Sequence, residues 1–169
     1  MSVSRDIARM WRAPREVVRR HLDAPRREGR ALSYLVLGCL LVFVSYGPAL
    51  ARAVDEGLPG AGGETATLFE AVTYALFSWL ILWPLLFYGI AALVHLALKL
   101  TGAAHDAYAT RVALFWGFLA ASPAALLYGL TAGLIGQGLP VVLTGGLWLG
   151  AIIAFAVIGL IEARRAAGV

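Results

Sequence analysis

Few side chains in this 169-residue sequence have the types and spacing that chemistry requires. The candidate proton carriers and ligands are Cys39, Glu70, His95 and Glu162, and the hydroxyls within apolar sequence are Ser45, Tyr46, Ser78, Tyr88, Ser122, Thr131 and Thr144. Acid–base or metal chemistry needs several such groups brought to one point. His95 lies four residues before Lys99, which reads as an interfacial position rather than a ligand or proton relay. Glu70 stands three residues after Thr67, the spacing of a capping box. Glu162 precedes Arg164 and Arg165 at the end of an apolar run and reads as solvated. Cys39 is the single cysteine, so an intramolecular disulfide is excluded and a small buried hydrophobe is the plainer role. The serines and threonines are expected to bond back to their own helices. There is no phosphate-binding glycine loop, no His-Glu zinc pair and no Ser, His and Asp set that falls on one face. No catalytic, cofactor-binding or metal-binding residue is therefore assigned, and the sequence reads as non-enzymatic.

The elements that would position these groups are transmembrane helices. With 60% hydrophobic and 14% charged residues, the chain is more apolar than soluble domains, for which roughly 45–50% is usual. Four runs reach the roughly 20 apolar residues needed to cross a hydrocarbon core. The first covers 31–50, closed by Gly47 and Pro48, with the turn-rich stretch from Asp55 to Gly63 as a loop. Its length and the head before it point to an uncleaved anchor rather than a signal peptide at Ala49-Leu50-Ala51. The second covers 68–98, long enough to enter both interfaces, with a kink at Pro84 and the open alternative of two shorter pieces. The third covers 108–135, capped by Asp106 and kinked at Pro123, and the fourth covers 140–162 after the break at Gly136-Gln137-Gly138. The predicted fold is all-α: a polytopic membrane bundle of about four transmembrane helices, a basic head at 1–30, a bundle at 31–163 and a tail at 164–169. No acidic or basic group falls near the bilayer midplane, which weighs against a secondary transporter.

Nine of the fourteen basic residues lie in the first thirty positions. With the N-terminus inside, thirteen basic residues are cytoplasmic and only Arg52 is outside, so both termini are expected in the cytoplasm. In the head, Val3, Ile7, Met10 or Trp11, Pro14, Val18 and Leu22 recur at helical spacing among arginines. This predicts an amphipathic helix, divided near Pro14, lying flat on the membrane. Arg5, Arg9, Arg12, Arg15, Arg19, Arg26, Arg27 and Arg30 are its expected contacts with anionic lipid, or else serve only to retain the head in the cytoplasm. No recognition-helix pattern points to nucleic acid. Gly129-xxx-Gly133 and Gly146-xxx-Gly150 are small-residue spacings that let helices approach closely. Counted from the turn at Gly138, Gly129 and Gly146 fall at nearly the same depth and are expected to face one another. Trp79, Trp83 and Phe87, four apart, read as packing or lipid contact.

The stretch His95-Leu96-Ala97-Leu98-Lys99-Leu100-Thr101-Gly102, with Arg111-Val112-Ala113-Leu114-Phe115-Trp116 and Ala121-Ser122-Pro123, resembles the middle of the Yip family of small multi-pass membrane proteins. The likeness is greatest to short bacterial members with an arginine-rich head. The sequence departs from the family in Gly102-Ala103-Ala104, where a glycine pair is commoner, and in four spans where five are typical. The resemblance implies a membrane organiser or adaptor in a bacterial inner membrane, acting through lipid, self-association or other membrane proteins, with no catalytic residues. Two alternatives stay open. One is a small permeation component with a polar path from Tyr46, Ser78, Tyr88 and Ser122; the other is an accessory subunit of a larger complex.

Overall fold

The computed structural model describes residues 3–60, 62–100, 102 and 106–168. Among them the regular structure is all helical: α1 (Val3–Met10), α2 (Pro14–Asp23), α3 (Glu28–Asp55), α4 (Leu68–Phe77), α5 (Trp83–Leu100), α6 (Ala107–Ala120), α7 (Ser122–Leu134) and α8 (Leu139–Ala166). Three segments are long and apolar enough to cross a membrane: α3, the 33-residue run Leu68–Leu100, and α8. The pair α6–α7, bent by 41° at its break, passes the same test as one unit. Its end contacts make it a broken span rather than a re-entrant loop. The Tyr108 hydroxyl hydrogen-bonds with the Arg27 backbone at 3.3 Å, while Arg52 donates to the carbonyls of Gly133 and Leu134 at 2.8 and 2.9 Å. Arg27 and Arg52 bracket α3, so α6–α7 runs parallel to that helix over its length. The fold is thus a helical bundle with up to four segments of membrane-spanning length, and α6, in contact with α1, α2, α3, α5, α7 and α8, lies at its centre.

Prolines shape the spans differently from the sequence expectation. α3 does not close at Gly47 and Pro48 but continues to Asp55, five residues past the expected end at Leu50. Pro48 removes one helix donor, yet its ring is seated against Gly133, where even a methyl group would overlap it. Ahead of Pro84, where a kink is expected, the helix carries a turn of π-helix, Ser78–Leu82, after which Trp83 donates five residues back to Ser78. That wider turn relieves the clash a proline ring makes with the carbonyl four residues earlier. The segment is consequently one long helix rather than two pieces. At Pro123 the bend does appear, with α7 starting at Ser122.

The capping box at α4 forms as its spacing predicts: Glu70 N–H donates to the Thr67 hydroxyl at 3.3 Å, and Thr67 N–H donates to the Glu70 carboxylate at 2.8 Å. Asp106 precedes α6 but its side chain makes no cap hydrogen bond; its carboxylate pairs with Arg26 at 3.3 Å instead. The loop after α3 is closed by Ala66 N–H to Leu58 and Gly60 N–H to Glu64, both 2.7 Å. Ala61 of that loop, and Ala103 and Ala104 of the later one, lie outside the described residues.

The glycine spacings divide. Gly129 and Gly133 pack closely, but against α3: a methyl group on either would overlap the Ser45 carbonyl or Pro48. Gly146 and Gly150 face open space, so the expected Gly129–Gly146 contact does not exist. The reason is helical phase. The α7–α8 hairpin is set by Thr131 and Thr144, whose hydroxyls meet at 2.8 Å. Gly129 lies about 200° round from Thr131 and Gly146 about 200° round from Thr144, so both turn away from the shared face. Depth along the hairpin was legible; azimuth was not. Gly38, Gly117 and Gly159 supply further close approaches, to Phe118, to the backbone at Phe155 and Ala156, and to Ala113. Gly129→Leu should therefore destabilise the detergent-solubilised protein by about 3 kcal/mol or more, because helix backbones must separate. Gly146→Leu should leave the thermal midpoint within error. Equal effects would disprove the placement.

Candidate functional site

The groups with chemical character gather at the head end of the bundle, where α1 and α2 form a short antiparallel hairpin. Pro14 begins α2 and divides the head as its sequence predicts. The apolar stripe exists too, but it is buried in protein rather than laid on lipid: Met10, Val17 and Val18 are core residues, with Ile7 and Leu22 packed against them. α2 runs along the last turns of α8 and touches α6. The turn between α1 and α2 carries Trp11, whose ring meets Phe155 edge-on at 5.2 Å and whose indole N–H donates to the Ala120 carbonyl at 3.0 Å. That carbonyl is available because of the break in the central span. Pro123 has no N–H, and Ala124 donates to Ala121 rather than Ala120.

Glu162 is the correction with the largest consequence. It is not solvated: its side chain is fully buried and its carboxylate meets Arg19 at 2.6 Å, Arg165 at 2.9 Å and Arg15 at 3.9 Å. The signal was present in the sequence, since Phe155, Gly159 and Glu162 fall on one helical face and the first two are buried. Asp6 is likewise buried, paired with Arg20 at 3.1 Å and 3.9 Å from His21. It sits on the head's apolar stripe beside Ile7, where an acid needs a partner.

His21 is enclosed by three elements. Its ring lies 4.0 Å from the Trp116 ring of α6, its Nδ1 is 3.0 Å from the Tyr34 hydroxyl of α3, and Asp6 of α1 faces its Nε2. Burial pushes its pKa down from 6.5 to about 4; the Asp6 charge opposes this, and Arg30 and Arg20 add to it. Nothing in the head's sequence distinguished this histidine.

The eight arginines assigned to lipid have several fates. Arg5, Arg9, Arg12, Arg15, Arg19, Arg26 and Arg27 are exposed and Arg30 is half-buried. Arg15 and Arg19 hold Glu162, Arg9 lies 3.9 Å from Glu16, Arg26 pairs with Asp106, and Arg30 donates to the Pro25 carbonyl. Among the described residues Arg5, Arg12 and Arg27 form no ion pair, which leaves their charge to the surroundings. Arg111 of α6 pairs with Glu28 of α3.

A second feature lies toward the other end. Val42, Ser45, Tyr46, Ala75, Ser78, Trp79, Trp83, Tyr128 and Trp148 line a cavity of about 440 Å³. Trp79 and Trp83 stack at 4.9 Å, as do Tyr128 and Trp148 at 5.8 Å. Phe87 continues the row and meets Phe118 at 4.5 Å. Of the four groups proposed for a polar path, Tyr46 and Ser78 line this cavity; Tyr88 packs on Phe115 and Ser122 is buried at the α6–α7 break. Ser45, Thr131 and Thr144 bond back to carbonyls of their own helices, and His95 lies 3.4 Å from the Thr110 hydroxyl. No group of three or more metal-ligating side chains occurs among the described residues.

The chain matches no protein-family model, no curated protein and no solved structure. What defines it is its own geometry: a polytopic helical bundle with an ion-paired head docked at one end and an aromatic cavity toward the other.

The buried His21 makes docking depend on pH. A group whose folded pKa lies below its unfolded value stabilises the structure fully above the unfolded value and loses that contribution as pH falls toward the folded one. Head docking should therefore be intact above pH 6.5 and weaken between about 6.5 and 4, by at most about 3 kcal/mol. Tryptic cleavage at the head arginines should accelerate across that window, after correction for trypsin's own pH profile. His21→Phe should flatten the dependence; an unchanged dependence would assign it to another group.

Proposed function

We propose that the protein is a non-enzymatic membrane organiser or adaptor that works by association, as the resemblance to the Yip family implies. What carries this reading is the docked head. Its apolar side and the acids Asp6 and Glu16 are used internally, so the surface left to partners is rich in arginine and includes the unpaired Arg5 and Arg12. Guanidinium groups bind phosphate and carboxylate in bidentate fashion, which suits anionic lipid headgroups and acidic segments of other membrane proteins. A bacterial inner membrane is the proposed location, with both termini cytoplasmic. The thirteen-to-one basic bias supports that orientation, as does the pairing of head and C-terminal turn at one end of the bundle.

A second reading, an accessory subunit, draws support from the Leu68–Leu100 helix, whose most apolar window is only 6% buried within the bundle. Partner capture separates the two. Crosslinking in native membranes should trap the protein with other membrane proteins or with itself, and Arg5→Gln/Arg12→Gln should reduce heterologous products more than self-products. Liposome flotation of the same variant should show a smaller preference for anionic lipid, with the wild-type preference shrinking as salt is raised. Stoichiometric recovery of one fixed complex, indifferent to the arginines, would favour the accessory subunit. Solute flux through reconstituted protein, abolished by Ser78→Ala, would replace both with transport.

A further inference from the structure

The aromatic cavity has features that packing alone does not require. It lies well inside the bundle: Tyr46 is nine residues from Asp55, Ser78 ten from Leu68 and Trp148 nine from Leu139, each about 14 Å in from its helix end. Its floor is α3, and its walls are the π turn with α5 on one side and α7 with α8 on the other. The backbones of α5 and α8 do not come within 8 Å of each other, so the side opposite α3 is open laterally. In a bilayer that opening faces acyl chains rather than water. The π turn is part of the construction, because it carries Ser78 and Trp79 on the wall next to Trp83.

Three properties define what fits. No lining residue is charged, so the occupant is neutral. Four of the lining rings form two stacked pairs on opposite walls, Trp79 with Trp83 and Tyr128 with Trp148, which favours a flat conjugated ring over a chain. The hydroxyls of Tyr46, Ser78 and Tyr128 have no hydrogen-bond partner among the described residues, and a hydroxyl at membrane depth needs an acceptor. An acyl chain offers none. A volume of about 440 Å³ lies in the range of small-molecule pockets and holds a one- or two-ring headgroup with the start of a tail. We propose that this cavity is a binding site for a lipid-soluble, flat ring compound bearing carbonyl acceptors, of the benzoquinone or naphthoquinone kind, which enters sideways from the bilayer between α5 and α8. The proposal concerns binding only and stands apart from the adaptor reading.

The test uses the full chain in phosphatidylcholine nanodiscs with a tritiated decyl-benzoquinone, counted by scintillation proximity. Saturable binding at one site per chain is expected, displaced by unlabelled menadione and at least tenfold less well by an alkane of matching tail length. Tyr46→Phe/Ser78→Ala removes two hydroxyls while keeping the walls, and should weaken binding by about tenfold with an unchanged thermal midpoint. Ala75→Leu, which fills the cavity from α4, should abolish it. Displacement by the alkane as effective as by menadione would make the cavity an acyl-chain groove and overturn the proposal. So would a signal that only rises in proportion to ligand dissolved in lipid, or wild-type binding by the double variant.

Discussion

Glu162 sits on the inward face of α8 with a side chain that solvent does not reach, and an unpaired carboxylate there would lose several kcal/mol of hydration. Arg165, one turn on, offers partial compensation from the same helix. The closest partner, Arg19, and the more distant Arg15 both come from the head. The carboxylate is therefore fully compensated only while α2 lies along α8. That condition fixes the register of the head, and the register brings Trp11 to the Ala120 carbonyl and His21 onto Trp116. The arginines themselves remain more than half exposed, so they can lie along the bundle with their charged ends toward water or headgroups. The energetic asymmetry follows from this: undocking changes the hydration of the exposed arginines little, but it removes two of the three cationic partners of Glu162.

The central span gives this arrangement its receptor. An unbroken helix from Ala107 to Leu134 would use all its mid-span carbonyls internally. Pro123 prevents that, and the break leaves an acceptor where lipid could supply no donor. The indole of Trp11 provides one from the head, so a defect in one span becomes a docking point for another element. Pro84 is handled locally by the π turn, and Pro48 by a glycine on the neighbouring helix. Arg52 works in a comparable way at the opposite end, donating to the last carbonyls of α7 as a cationic C-cap. Gly136 leaves room for it, with φ at +81° and a position where a Cβ would come within 2.8 Å of the guanidinium.

Element existence was legible in the sequence because length and apolarity decide it: the four runs, the Thr67–Glu70 cap, the division at Pro14 and the bend at Pro123 all follow from local chemistry. Azimuth was not legible. Gly146 and Gly129 share a depth but not a face, since a helix turns about 100° per residue and nothing local states which neighbour each face meets. The same limit hid the head's docking. An apolar stripe flanked by arginines describes a helix on lipid and a helix on protein equally well, and only the acids Asp6 and Glu162 on buried faces mark the second. Arg52 looked like a lone exception to the charge bias, and its role depends on an α7 terminus 81 residues away. The cavity was legible as residue types, Trp79, Trp83, Tyr46 and Ser78, but its walls are brought together by packing rather than by spacing.

The central claim, that the head is fastened to the bundle through Glu162, is tested most directly by an intramolecular distance. Spin labels at Ala8→Cys and Ala166→Cys, in a Cys39→Ala background, would report it by double electron–electron resonance in lipid nanodiscs. The account predicts one narrow, short distribution that is the same in neutral and anionic lipid and broadens on Glu162→Gln. A broad distribution at long distance that responds to lipid charge and ignores Glu162→Gln would contradict it, and would return the head to the membrane surface.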